Sequence, residues 1–515
     1  MPLDVGLLNL PGLTARHSLS YFEGVPPLGL AYMAAVARQA GHRPAVFDAL
    51  GEGVDRYSVL PTSMGDLLVQ GFGVDEIVER LPAGIDVLGI SFLFLHELRF
   101  LQRLVPRIRE RLPELVIILG GETVTGMWED SLRLFPEVTA CVLGEGEEVF
   151  PRLLAALERG DGLETVPSLA YRVGGEGQRS ARAGRIRDID AIPWPAWDLF
   201  PIARYLGAGM RSGVNRGPSL PLLTSRGCPF TCAFCSAPEM WGTAYYSRSP
   251  QPLVDEIEHL MRTYGATNFD FRDLSAAISK KWIRAFRDEV VARGARFTWQ
   301  IPQGMRSESL DRDSLRLLHE SGCRNFGYAL ESVSPTVISR MQKKVVPERM
   351  FASIREALRL GFSLEVFFII GYPGETRADH WAYVRAIVRL AAMGVQSLSV
   401  MQFNPYPGSQ DYNRFRAEGK IRFADDSYVY SSLFRGSGQN PDTHSAFSGS
   451  YLVAFGLFCL VLFWLLQFLI RPWRPFRMLW NLVRAREETI LEQFLVVKTR
   501  QWRRQRRAPA EGLRV

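Results

Sequence analysis

The stretch Thr224-Ser-Arg-Gly-Cys-Pro-Phe-Thr-Cys-Ala-Phe-Cys-Ser236 holds Cys228, Cys232 and Cys235 at Cys-x3-Cys-x2-Cys spacing. That spacing puts three thiolates on one short loop with no fourth partner nearby. A structural zinc takes four closed ligands, usually as two pairs, and would need a His or Cys brought in from elsewhere in the chain. A 4Fe–4S cluster held by three thiolates keeps one iron open. An open iron can bind a small molecule through oxygen and nitrogen and pass it an electron. Free cysteine is otherwise a small core residue, but half of the six cysteines fall within this one eight-residue window.

Residues 218–420 supply the elements that must position the loop. Strands are expected at Leu222–Ser225, Asn268–Arg272, Phe297–Ile301, Asn325–Leu330, Leu364–Ile370 and Ser397–Phe403. Helical patterns at Leu253–Arg262, Trp282–Val291, Ser314–Glu320 and Trp381–Ala391 lie between them. Six parallel repeats make a partial version of the eight-fold barrel, where chemistry sits at the carboxyl ends of strands. The cysteine loop follows the first strand and so occupies that end.

Residues 1–160 alternate in the same way. Strand candidates are Val5–Leu10, Ala45–Ala49, Val87–Phe92, Leu115–Leu119 and Thr139–Leu143, with helical patterns at Leu28–Gln39, Asp75–Arg80, Leu98–Arg111 and Trp128–Phe135. Apolar strands alternating with helices predict an α/β unit: a doubly wound, Rossmann-like parallel sheet covered on both faces. Its ligand would lie beyond the carboxyl ends of the strands. Ser91, Gly120-Gly-Glu-Thr123 and Gly144-Glu-Gly146 stand there. Glycine lets a backbone approach a bulky ligand closely, although it also simply ends strands. Residues 161–215 read as a linker. Ser168–Val173 and Arg185–Asp188 are expected to pair as a hairpin, and Ile192-Pro-Trp-Pro-Ala-Trp197 is too proline-rich for a helix.

The cysteine loop, with the aromatic Phe234 before its third cysteine, resembles that of the radical S-adenosylmethionine (SAM) enzymes. In that family the open iron chelates the amino and carboxylate groups of SAM, and one electron cleaves SAM to methionine and a deoxyadenosyl radical. The resemblance implies SAM contacts at Phe234, Asp273, Arg306, Glu331 and Gly371. Asp273 would face the amine or ribose, Arg306 would offer the carboxylate a planar fork of donors, and Glu331 would hold the ribose hydroxyls. The stretch Phe368–Thr376 resembles the segment that packs the adenine, and Asn404-Pro-Tyr-Pro-Gly-Ser409 the loop closing the sixth strand. Relatives often carry an Asp-Asp pair where this chain has Asp273-Leu274. Each position alone reads equally well as a cap or turn; together they fall in order at strand ends.

The first half resembles the cobalamin-binding domain found ahead of many radical SAM domains, through Pro26-Pro-Leu-Gly-Leu30, Gly120-Gly121 and Gly144-Glu-Gly-Glu147. This implies cobalamin contacts at Ser91, Gly120, Gly121, Glu122, Thr123, Gly144, Glu145 and Gly146. The Asp-x-His-x-x-Gly motif that supplies a cobalt ligand in many cobalamin proteins is absent. His17, His42 and His96 occur in other contexts, so the lower face of the cobalt is expected to lack a histidine.

Charge narrows the partners. Residues 471–515 hold twelve Lys/Arg and four Asp/Glu, so the tail carries +8 of a total of +7 and the rest of the chain is close to neutral. An enzyme of nucleic acids would spread positive charge over its active face, and no nucleic-acid partner is expected. Six cysteines without an even framework argue against a disulfide scaffold, and Met1-Pro-Leu-Asp-Val5 does not open like a signal peptide. Tyr451–Ile470 has no charge and the length of a membrane span. A cluster requires the cytoplasm, and a full span would then put the basic tail outside, against the tendency of Lys/Arg to stay inside. The consistent reading is a peripheral or monotopic protein on the inner face of the membrane, its tail on anionic head groups. The soluble alternative is a helix packed on the barrel.

The expected organisation is a cobalamin-binding Rossmann-like domain (1–160), a linker (161–215), a radical SAM partial (β/α)6 barrel (216–425), and a helical region (426–515) with the apolar helix 451–470 and a basic tail. The cofactors implied are a 4Fe–4S cluster, SAM and cobalamin, with a flavodoxin or ferredoxin as electron donor. The expected activity is methylation of an unactivated carbon in a hydrophobic small molecule such as a lipid, isoprenoid or tetrapyrrole. Cyclisation, ring rearrangement or oxidation with the same cofactors is the alternative, and a non-catalytic membrane-associated iron–sulfur protein is the second. No further catalytic side chain is singled out.

Overall fold

A computed structural model describes residues 1–16, 24–306, 310–433, 445–484 and 487–507. His17 and residues 508–515 of the tail lie outside the described residues.

The first sheet has seven strands in the spatial order Glu176–Arg179, Leu169–Val173, Ala140–Val142, Val116–Gly120, Val87–Ser91, Asp4–Asn9, Arg43–Asp48. The five strands expected from the sequence are present and parallel. Their apolar side chains are shielded by the helices Leu28–Gln39, Leu98–Arg111 and Gly146–Arg159, among others, which is why the strands read as near-continuous apolar runs. The two strands at the edge depart from the expectation. Leu169–Val173 pairs antiparallel with Ala140–Val142, and its hairpin partner is Glu176–Arg179 rather than Arg185–Asp188. The turn between them is Gly174-Gly175, both at positive φ, a geometry that matches strand twist and makes the tight hairpin win over the longer loop. A three-stranded antiparallel sheet of Gly12–Ala15, Gly65–Gln70 and Tyr57–Thr62 was not foreseen.

The second sheet runs in sequence order: Ser219–Leu222, Asn268–Phe271, Thr298–Met305, Cys323–Glu331, Ser363–Ile370, Ser397–Gln402, all parallel. Its first and last strands do not pair, so the barrel is open. The first strand ends at Leu222, earlier than the sequence pattern suggests. Ser225–Arg226 instead forms a short antiparallel ribbon with Tyr246–Ser247, and this ribbon brackets the cysteine loop.

The apolar segment is the helix Gly449–Ile470, capped by the Ser448 hydroxyl. Leu452, Cys459, Phe463 and Gln467 recur at helical spacing and are buried against the barrel. Gln467 donates from Nε2 to the Val395 carbonyl at 2.7 Å and accepts from Arg471 at 3.3 Å. Leu457, Phe458, Val461, Leu465 and Leu469 form an exposed opposite face. Among the described residues this one helix is long and apolar enough to cross a bilayer by length and composition. It lies along the last strand as an outer-layer helix on one face only.

Candidate active site

The cysteine loop is fixed from both sides. Ala233 N–H donates to Met341 O at 3.0 Å, and the Ala233 carbonyl accepts from Asp411 N–H at 3.0 Å. Cys235 N–H donates to Cys232 O at 3.1 Å, and the Cys228 sulfur lies 3.3 Å from the Ser275 hydroxyl. Burial pushes the Cys235 thiol up to about 12, with Glu122 and the other two sulfurs adding to it. Burial also raises Cys232, while Lys343 and Arg306 pull it down. Cys232 and Cys235 therefore feel the other sulfurs and the charges of Lys343, Arg306 and Glu122 nearby. Among the described residues no three His, Cys, Asp or Glu side chains converge on a point that would hold a single metal ion.

Arg306 stacks its guanidinium 3.4 Å over the Phe230 ring and donates to the Lys344 carbonyl at 2.7 Å, which holds its fork beside the loop. Glu331 ends the strand Cys323–Glu331 at φ +60, a strained conformation for a side-chain-bearing residue, at a register shift in the ladder. One carboxylate oxygen accepts from Lys343 Nζ at 3.1 Å; the other, Oε2, is buried with no partner among the described residues. Strain of this kind persists where the surroundings over-determine it, and it gathers at ligand sites. A buried carboxylate oxygen without a donor costs about 1–3 kcal/mol, which a hydroxyl-bearing ligand would recover. Phe234 packs among Val337, Met341, Tyr372 and Phe403, with Lys343 Nζ 5.8 Å from its ring.

Two further expected contacts are tied to neighbouring segments. Asp273 is fully buried and accepts from Thr224 N–H at 3.0 Å, from the Thr224 hydroxyl at 2.9 Å and from the Ser225 hydroxyl. Its carboxylate ties down the approach to the cysteine loop rather than standing free for SAM. Gly371 has φ +76, and a side chain there would meet Leu452 of the helix Gly449–Ile470 at 2.6 Å. Its N–H donates to Glu375 at 2.6 Å. Glu375 in turn accepts from Tyr383 at 2.8 Å and faces His380 at 3.0 Å. The His380 ring lies between Phe447 and Phe455, each 4.3 Å away, and meets the Tyr451 hydroxyl at 3.0 Å. The adenine-side loop is thus seated on the apolar helix, a linkage between distant segments that spacing cannot reveal.

Across from the cysteine loop stand the strand ends of the first sheet. Ser91 pairs with Gly120. Gly121 has φ +126, and a Cβ there would sit 2.6 Å from the Phe92 carbonyl. Thr123 donates to Leu93 O at 2.7 Å, and Gly144 N–H donates to the Thr125 hydroxyl at 3.0 Å. Gly146 opens the helix Gly146–Arg159, where a side chain would meet Met33 at 2.7 Å. Glu145 is held by several partners. Its carboxylate pairs with Arg185 and Arg226 and accepts Ile186 N–H at 3.1 Å, while Glu147 holds the other arm of Arg226. These charges clamp the two sheets together rather than facing a ligand.

Glu122 accepts from the Ser236 hydroxyl, one residue beyond the cysteine triad. Both residues line a cavity of ≈400 Å³ between the halves, with Thr14, Thr123 and Asn404 also in its wall. The Asn404 Oδ1 atom is buried without a partner among the described residues. His96, whose imidazole burial pushes down to about 4, lines the same cavity. The sequence signal for Ser236 was its place beside the triad; His96 carried none. The cavity thus opens between Glu122 and Thr123, which follow the Gly120-Gly121 turn, and Ser236, which follows the cysteine triad.

Residues 20–154 match the B12 binding domain and residues 222–387 the radical SAM superfamily. The chain is 30% identical over 397 residues to the cytidylyl-2-hydroxyethylphosphonate methyltransferase of Streptomyces wedmorensis, covering 71% of this chain and 72% of that one. It belongs to the cobalamin-binding radical SAM family. The anaerobic magnesium-protoporphyrin IX monomethyl ester cyclase of Cereibacter sphaeroides is 28% identical over 364 residues, 68% of this chain and 54% of that one. The fold is that of the radical SAM methyltransferase TsrM from Kitasatospora setae, solved with cobalamin and a 4Fe–4S cluster, at TM-score 0.63 and 17% identity over 82% of this chain and 79% of that one. The protein is thus a cobalamin-dependent radical SAM enzyme whose cofactors are a 4Fe–4S cluster, SAM and cobalamin.

Proposed function

We propose that the enzyme transfers a methyl group to an unactivated carbon of a hydrophobic small molecule, of the lipid, isoprenoid or tetrapyrrole class. The observation that carries this reading is the largely apolar cavity between the halves, reached by Ser236 just after the triad and by Glu122 and Thr123 of the opposite turn. When bound, the cluster and SAM supply a carbon-centred radical and cobalamin supplies the methyl group.

The chain's own residues supply positioning. Cys228, Cys232 and Cys235 would hold the cluster. Arg306 would grip the SAM carboxylate with its fork, and the unpaired Oε2 of Glu331 would accept from the ribose hydroxyls. Ser91, Gly120, Gly121, Thr123 and Gly144 would floor the corrin with backbone. Leu93, Phe94, Tyr406, Val429 and Leu433 give the cavity an apolar wall that excludes water, which is the support for a hydrophobic substrate.

The tetrapyrrole named for the cyclase relative fits the same class, and cyclisation is the second reading for that reason. The exposed face of Gly449–Ile470, continued by Trp473, Phe476, Leu479, Trp480 and Val483, supports seating on the cytoplasmic membrane surface, with electrons arriving from a flavodoxin- or ferredoxin-type donor.

The test is comparative lipid and pigment analysis of a deletion strain and its parent, followed by turnover with SAM carrying a labelled methyl group. The expected product is heavier than its precursor by one methylene and contains the label. Turnover of the precursor without that gain would replace methylation by cyclisation.

A further inference from the structure

One buried donor remains unused by these roles. The strand order of the first sheet reverses beside Asp4–Asn9: the chain next adds Arg43–Asp48 on one side and Val87–Ser91 on the other. Ligands of doubly wound sheets lie in the crevice at such a switch point. His96 stands on the loop after Val87–Ser91, and Thr14 follows the other strand of the pair; both line the cavity.

The His96 side chain is 9% exposed, and among the described residues nothing hydrogen-bonds to its ring. Its ring neighbour is Phe94, stacked in parallel at 5.3 Å. The loop that carries it is tied down. Glu97 accepts from the N–H groups of Leu93 and Phe94 at 3.0 and 3.1 Å, Phe92 N–H donates to Gly120 O at 2.8 Å, and Thr123 donates to Leu93 O. The imidazole is therefore held in register with the Gly120–Thr123 turn. The ring makes no hydrogen bond to the described residues and lines the cavity, so its nitrogens are not spent on the scaffold.

We propose that His96 is the lower-face nitrogen ligand of the cobalt in bound cobalamin, an assignment that rests on the cobalamin-binding reading of this site. The neutral imidazole is the commonest nitrogen donor that proteins offer a metal. The loop after the first strand lacks the histidine motif, and the loop after Val87–Ser91 supplies the donor in its place. This reverses the expectation of a histidine-free lower face.

Electron paramagnetic resonance of the full-length, anaerobically purified protein loaded with cob(II)alamin tests it. An axial nitrogen splits each cobalt line into a triplet. Protein grown on histidine enriched in the heavy nitrogen isotope is expected to give doublets, whereas coordination by the unlabelled benzimidazole of cobalamin itself would keep the triplets. His96→Ala, or His96→Asn if the first variant is unstable, is expected to lose the label-dependent splitting. Retained corrin with no effect of the histidine label overturns this proposal alone. Absence of corrin absorption after gel filtration overturns the cobalamin reading as well.

Discussion

The strand ends of the two halves are built from opposite materials. The barrel side is charged and committed: three thiols, Lys343 against Glu331, Arg306 over Phe230, and a carboxylate at Asp273 locked to Thr224 and Ser225. The Rossmann-like side meets the cavity with apolar and small polar side chains beside its glycine turn, Leu93, Phe94, Thr14, Thr123, Glu122 and the His96 imidazole, while Glu145 and Glu147 pair with Arg185 and Arg226. The difference matches the two kinds of guest. A zwitterion at a cluster is held by charge and hydrogen bonds, which tolerate little displacement. A broad corrin is held by shape, which needs an open floor more than it needs polar groups.

The comparison can be broken in three places. The largest effect is expected at the cluster. Cys232→Ala leaves only two thiolates, and it is expected to abolish SAM cleavage and to lower the iron content of the anaerobically reconstituted protein. Full iron with undiminished cleavage would remove the triad from the site. On the other side, Gly121→Ala forces a methyl against the Phe92 carbonyl in a left-handed conformation, at about 1–3 kcal/mol of strain. Cobalamin retention on gel filtration should fall by about tenfold or more with iron content unchanged. Equal loss of iron and corrin would mean that the turn supports the fold rather than the floor.

The smallest effect is a pH slope. Burial raises Asp273 to about 6 from an ordinary carboxylate value of 3.8, so between those values the folded state keeps a proton that the unfolded state has released. Unfolding free energy should therefore fall as pH rises from about 4 to about 6 and level off above it, by about 1–3 kcal/mol. Denaturant titrations of wild type and Asp273→Asn check this, since the variant should lack that part of the slope. Identical slopes would free Asp273 from its structural role and return it to SAM.

Much of this architecture was legible in the sequence because periodicity reports burial. The apolar strands Asp4–Asn9, Val87–Ser91 and Ser363–Ile370 lie under helices and read as such. The sheet of Gly12–Ala15, Tyr57–Thr62 and Gly65–Gln70 escaped notice because Pro61 and the polar turn at Ser63 mask its pattern. At the site, spacing located the cysteines but not the partners of single acids. Glu145 and Asp273 both sat at strand ends where a ligand was expected. Only their contacts, 81 residues away to Arg226 for one and 49 to Thr224 for the other, show that they serve the scaffold. His96 was set aside in the sequence because it lies outside the histidine motif, and only the folded chain brings it into the cavity wall.

Arg226 lies two residues before Cys228, and its guanidinium reaches both Glu145 and Glu147, just past the glycine turn of the opposite sheet. A strut at that point sets the gap between the two reaction centres before any guest arrives. The entropy of bringing them into register is then met when the chain folds and is not repeated at each turnover.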